Sequence, residues 1–176
     1  MTEKACILIV DDEAAIRFFL SEEISRAGYT VLTAASGEEA IVQLQKGHID
    51  LILLDLQMSG MSGLQVMEEV KNSHMPPAVI ILTAHATFDS AVDAMRLGGS
   101  DYLKKPCDAA ELLSSVEKGL SKRRAALRRQ EMLRLIEETA HQLQPSAPSQ
   151  PEPGRSRFLE KRGLLLDTEE GTEIRG

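Results

Sequence analysis

Residues 5–13 read ACILIVDDE: six apolar residues in a row, then Asp11, Asp12 and Glu13. A run that is apolar throughout, rather than alternating, marks a strand covered on both faces. The abrupt change to carboxylates marks where that strand ends. Comparable strand-like runs recur at 30–33 (TVLT), 51–54 (LILL), 79–82 (VIIL) and 101–103 (DYL).

The stretches between these runs have helical period. The first places Ile16, Phe19, Leu20, Ile24 and Ala27 on one face and closes at Gly28. The second opens at Ser36-Gly37-Glu38-Glu39 and turns Ala40, Ile41 and Leu44 inward. The third bears Leu64, Val66, Met67 and Val70, and the fourth Ala91, Ala94, Met95 and Leu97 before Gly98-Gly99. Alternating βα units with short connections predict an α/β fold, a doubly wound five-stranded parallel sheet. The spacing fits the flavodoxin-like order 2-1-3-4-5 with right-handed crossovers. From Ala109 the sequence stays helix-compatible to about Gln144, with one weak point at Gly119, so an extended C-terminal helix is expected. Pro145 then opens PSAPSQPEPG, which has linker composition. The expected organisation is a domain over 1–120, a helical extension over 121–144, and a disordered linker and tail over 145–176.

Of the 176 residues 43% are hydrophobic and only 3% aromatic, so aliphatic side chains must fill the core. No apolar run approaches the ~18 residues of a membrane helix, and the first is too short for a secretory signal. Cys6 and Cys107 lack metal-ligand spacing, and Cys6 in a strand-like run reads as a reduced, buried thiol. These features together point to the cytoplasm. Residues 1–120 carry 9 Lys/Arg against 18 Asp/Glu, a net of −9, whereas residues 121–144 carry 6 against 3, a net of +3. An acidic body argues against direct nucleic-acid binding by that domain.

In a parallel doubly wound sheet, ligands bind beyond the carboxyl ends of the strands. Strand 1 ends in Asp11-Asp12-Glu13, strand 3 at Asp55, strand 4 at Thr83, and Lys104-Lys105-Pro106 follows strand 5. Carboxylates, a hydroxyl and an ammonium therefore converge on one crevice. Two like charges ~4 Å apart repel by about 4 kcal/mol at an effective dielectric of 20, so the cluster calls for a hard divalent cation. With Mg²⁺ bound, Asp55 would be a nucleophile towards phosphorus, with Thr83 and a lysine stabilising charge on the equatorial oxygens. Singly, each residue reads as a helix cap, a turn former or a solvated charge. Their coincidence at four strand ends is what points to chemistry.

ILIVDDE, LILLDLQM, VIILTAHA and DYLKKP, in this order and spacing, resemble the response-regulator receiver family of two-component signalling over about residues 4–120. That resemblance implies that Asp55 accepts phosphate from a sensor histidine kinase or phosphotransfer protein. It implies Mg²⁺ held by Asp12, Asp55 and the backbone carbonyl of Gln57, with Asp11 joining through water. Thr83 and Lys105 match the family's hydroxyl and lysine, Tyr102 its aromatic switch residue, and Lys105-Pro106 its cis peptide bond. Gln57 and His85 stand where the family tunes hydrolysis of its acyl phosphate. There are departures. The family usually has Met-Pro and often Met-Asp-Gly after its Asp-Leu-x triplet, where this chain has Met58-Ser59-Gly60-Met61-Ser62-Gly63. Losing the proline should loosen that loop without removing a ligand. Cys107 replaces a common phenylalanine, a change of packing.

Other readings compete. A haloacid-dehalogenase-type phosphatase also uses an aspartyl nucleophile and Mg²⁺, but needs Asp-x-Asp where this chain has Asp11-Asp12-Glu13. No Gly-rich phosphate loop follows strand 1, which argues against a nucleotide site. A non-phosphorylated adaptor is opposed by the intact acidic set. For output, TAHATFDSAVDAMRLGGSDYLKKP resembles receivers of transcriptional activators that continue into ATPase domains, and RFLEKRGLLLDTEEG weakly resembles a winged-helix opening, so a truncated transcriptional regulator is an alternative. Leu133, Ile136, Ala140 and Leu143 have heptad-like spacing, from which homodimerisation through 121–144 is expected.

Overall fold

A computed structural model describes residues 4–143, apart from His74 and Ala86. Ten elements alternate: β1 (Cys6–Val10), α1 (Ala14–Arg26), β2 (Thr30–Ala34), α2 (Gly37–Lys46), β3 (Leu51–Leu54), α3 (Gly63–Lys71), β4 (Ala78–Thr83), α4 (Phe88–Arg96), β5 (Asp101–Lys104) and α5 (Ala109–Leu143). The strands pair in parallel in the order β2-β1-β3-β4-β5, the order expected.

Alternation along each strand builds two cores. Ile7, Ile9, Leu51, Leu53, Ile80 and Leu82 meet α1 and α5 through Leu20, Ile24, Leu112, Val116 and Leu120. Leu8, Val10, Ile52, Leu54, Val79 and Ile81 meet Ala40, Val66, Met67, Val70 and Ala94 of α2, α3 and α4. Both faces of β1, β3 and β4 are thereby buried, which explains why those runs are apolar throughout.

The helix faces need correction in three places. Phe19 is 48% exposed, Ala27 is exposed, and Met95 is 44% exposed. The buried stripe of α1 follows Ile16, Leu20 and Ile24 at i, i+4, i+8; Phe19 is about 100° round from Leu20 and sits at its margin. Ala27 is the C-cap, ahead of Gly28 at φ +95°. Cys6 is half-buried rather than buried, as is Cys107; both are free and pushed up in pKa chiefly by desolvation.

The last helix runs unbroken from 109 to 143 through Gly119, the expected weak point. There a Cβ would stand 3.1 Å from Leu51 Cδ1, so the glycine lets the helix approach the sheet. Burial along α5 ends at Arg123, followed by half-buried Leu127; Met132, Leu133, Leu135 and Ile136 are 48–60% exposed. Gln144 and the segment 145–176, expected as linker and tail, lie outside the described residues, as does the side chain of Leu143. Among the described residues no helix is long and apolar enough to cross a membrane.

Candidate functional site

The sheet ladder carries on one residue past its strands. Asp11 N–H donates to Ala34 O at 3.2 Å, Asp55 N–H to Val10 O at 3.0 Å, and Lys105 N–H to Thr83 O at 2.9 Å. These bonds anchor three charged residues at the carboxyl-end edge of the sheet. The Lys105–Pro106 peptide bond is cis, as the resemblance implied.

Lys105 Nζ donates to Asp11 Oδ2 at 2.5 Å and to Asp55 Oδ2 at 2.6 Å. The three side chains are 10%, 2% and 7% exposed, so this bridge lies out of bulk water. Desolvation would push the Lys105 ammonium down. The hydrogen bonds and charges of Asp11 and Asp55 outweigh it and hold its pKa above the ordinary lysine value. Each carboxylate also receives a local amide: Glu13 N–H to Asp11 Oδ1 at 2.9 Å and Gln57 N–H to Asp55 Oδ1 at 3.1 Å. Arg17 Nη1 fixes the Asp11 backbone carbonyl at 2.7 Å.

Asp12 takes no part in this bridge. It is exposed, and its Oδ2 accepts from Ser59 N–H at 3.1 Å. Thr83 is buried at the end of β4 and accepts from His85 N–H at 3.4 Å. Tyr102 pairs with Ile81, two residues short of Thr83, and its hydroxyl is 3.0 Å from Ser90 Oγ at the start of α4. Gln57 and His85 are exposed on the loops after β3 and β4. The structure thus joins Asp11, Asp55 and Lys105 directly, sets Asp12, Gln57 and Thr83 on neighbouring strand ends, and engages Tyr102 with α4.

The loop between β3 and α3 is tied down despite its missing proline. Besides the Ser59 contact, Met61 N–H donates to Glu38 Oε1 at 3.0 Å, and Ser62 with Gln65 forms a capping box. The amides of Glu38 itself and of Met61, then Ser36, hold the Glu38 carboxyl below its ordinary pKa. Gly63 passes so close to β3 that a Cβ would lie 2.3 Å from the Asp55 carbonyl oxygen. The expected loosening is therefore offset by these contacts. Sequence alone assigns Ser59, Arg17 and Glu38 no place at the site, because their partners are set by folding.

Asp11, Asp12 and Asp55 with Lys105 carry a formal net charge of −2. Hard carboxylate oxygens with that excess suit a hard divalent cation. Among the described residues no three acidic, histidine or cysteine groups converge as a ready-made metal cage.

A five-stranded 2-1-3-4-5 sheet with paired aspartates and a lysine at its carboxyl edge defines a class of domain. The response regulator receiver domain family matches residues 7–117, and this chain belongs to it. It is 37% identical over 119 residues to the DNA-binding transcriptional regulator NtrC of Salmonella typhimurium, covering 68% of this chain and 25% of that one. It is 40% identical over 126 residues to the alginate biosynthesis regulator AlgB of Pseudomonas aeruginosa, covering 69% and 27%. This chain thus spans about a quarter of the length of these curated relatives. Among solved structures it is similar to the response regulator TrrA of Thermotoga maritima in complex with Mg²⁺-BeF (36% identity, TM-score 0.60, 65% of this chain and 98% of that). It is also similar to NtrX of Brucella abortus in complex with ADP (28%, TM-score 0.70, 74% and 30%). Family membership sets aside the haloacid-dehalogenase reading.

Proposed function

We propose that Asp55 accepts a phosphoryl group from a phosphohistidine of a sensor histidine kinase or phosphotransfer protein. The observation that carries this reading is the buried Lys105 bridge between Asp55 and Asp11. One Asp55 carboxylate oxygen forms the O–P bond as the donor's N–P bond breaks, and the imidazole leaves. Asp11, Asp12, Asp55 and the Gln57 carbonyl would hold Mg²⁺, Asp11 through water. When bound, that ion would neutralise charge on the phosphoryl oxygens. Lys105, kept charged by its two carboxylates, and the Thr83 hydroxyl would turn to the transferred group. Tyr102 would leave Ser90 and follow, reorganising the α4–β5–α5 surface as a two-state switch. Gln57 and His85, exposed beside the site, would set access of water and so the acyl-phosphate lifetime.

Of the division at 1–120, 121–144 and 145–176, the first boundary is supported by the end of burial on α5 near Arg123, and 145–176 lies outside the described residues. Self-association through 121–144 is supported by exposed Leu133 and Ile136, at 54% and 56%. The net charge of −9 over 1–120 speaks against nucleic-acid contact by that body, while the relatives' names favour transcriptional regulation as output. A cytoplasmic setting follows from the kinase partner.

Acetyl phosphate with Mg²⁺ tests the assignment. The chain should gain one phosphoryl group and Asp55→Asn none, with its fold intact by circular dichroism. Stoichiometric labelling of Asp55→Asn would overturn it.

A further inference from the structure

Asp12 and Ser59 are 47 residues apart, yet Ser59 N–H donates to Asp12 Oδ2 at 3.1 Å and its hydroxyl lies at 3.5 Å. The amide is the well-formed partner; 3.5 Å is marginal for a hydroxyl. The loop bearing Ser59 is itself fixed, by Met61 N–H on Glu38 and by Gly37, whose Cβ position would fall 2.8 Å from Met61 Cβ. With the loop held in place, turning Asp12 Oδ2 to a cation shared with Asp11 and Asp55 would cost the Ser59 amide.

We infer that Ser59 is a positioning residue whose backbone amide occupies Asp12 Oδ2, so that Mg²⁺ competes with that amide for this oxygen. The inference rests on the proposed role of Asp12 as a metal ligand and adds what limits that role. Ser59 then weakens Mg²⁺ binding, and the site fills only at higher free Mg²⁺. Because the donor is a backbone N–H, a side-chain truncation leaves it in place and a proline removes it.

The test is a Mg²⁺ titration of the full chain followed by amide NMR and calorimetry, without any phosphodonor. Ser59→Pro should bind Mg²⁺ roughly threefold to tenfold more tightly, as expected for losing an exposed charge-assisted hydrogen bond. Ser59→Ala should stay within about twofold of the parent, since its amide remains. In an Asp12→Asn background, adding Ser59→Pro should change nothing further. An unchanged or weaker affinity in Ser59→Pro, or the same gain in the Asp12→Asn background, overturns the inference. Should Ser59→Pro fold poorly, the unsubstituted chain gives the answer: its Ser59 amide resonance should move upfield on saturation with Mg²⁺. A Ser59 amide that stays put while Gln57 shifts contradicts it. Unchanged Mg²⁺ affinity in Asp12→Asn alone refutes the ligand assignment beneath it, and the two failures are thus told apart.

Discussion

Both edges of the sheet carry a buried cation on an aspartate, and the two are built differently. At the carboxyl edge one lysine bridges Asp11 and Asp55, with Asp12 beside them and a net charge of −2. At the amino edge Arg123 Nη1 meets Asp50 Oδ1 at 2.7 Å while its Nε donates to the Pro76 carbonyl at 3.2 Å. Asp50 Oδ2 also receives Cys6 N–H at 2.9 Å. That second cluster is charge-balanced and held by a planar fork, so it pins α5 to the starts of β1 and β3. Lysine is a flexible point charge that can change partners. One edge is a charge-balanced clasp, the other keeps an excess of negative charge.

The contrast can be broken by substitution. Asp50→Ala leaves Arg123, with a 7% exposed side chain, without its carboxylate. Asp50 is itself 19% exposed. A loss of about 2–3 kcal/mol is expected, below the full cost of opening a buried pair, with Tm falling by roughly 5–10 °C. Labelling of the folded fraction should stay within about twofold of the parent. At the other edge the sign should reverse. Asp12→Ala removes one of three like charges and should raise Tm by roughly 1–3 °C without Mg²⁺, while slowing labelling. A fall in Tm would mean that the lost Ser59 amide bond outweighs the relief of repulsion.

The smallest effect concerns Asp101, at the start of β5. Burial opposes its charge, but the Ser115 hydroxyl, the Tyr102 amide, and then Lys118 and Lys122 outweigh this and lower its pKa. A depressed folded pKa contributes stability above the unfolded value of about 3.9, which is lost as pH falls through the folded value. Ser115→Ala should cost about 1 kcal/mol at neutral pH and flatten the acid limb of stability below about pH 4. An unchanged limb in urea titrations at pH 3–5 would remove Asp101 from the ledger of acid sensitivity.

The carboxyl edge was legible in the sequence and the amino edge was not. Asp11, Asp55, Thr83 and Lys105 each terminate or follow an apolar run, so strand ends could be read locally and the parallel topology gathered them. Asp50 and Arg123 are 73 residues apart, one before β3 and one deep in a helix, with no periodic cue to join them. Strand faces were readable because their period is two. The margins of helix stripes, as at Phe19 and Met95, depend on where neighbours end, which periodicity does not carry. Ser59 looked like the loss of a stiff residue; only the folded loop reveals its amide on Asp12.

The most direct measurement is to treat the chain with acetyl phosphate and Mg²⁺, trap the acyl phosphate with borohydride, and map the reduced residue by peptide mass spectrometry. Reduction at position 55 alone is expected, absent when Mg²⁺ is withheld. Reduction at Asp11, Asp12 or any other carboxylate, or none at a Mg²⁺ concentration that saturates the site, would contradict it.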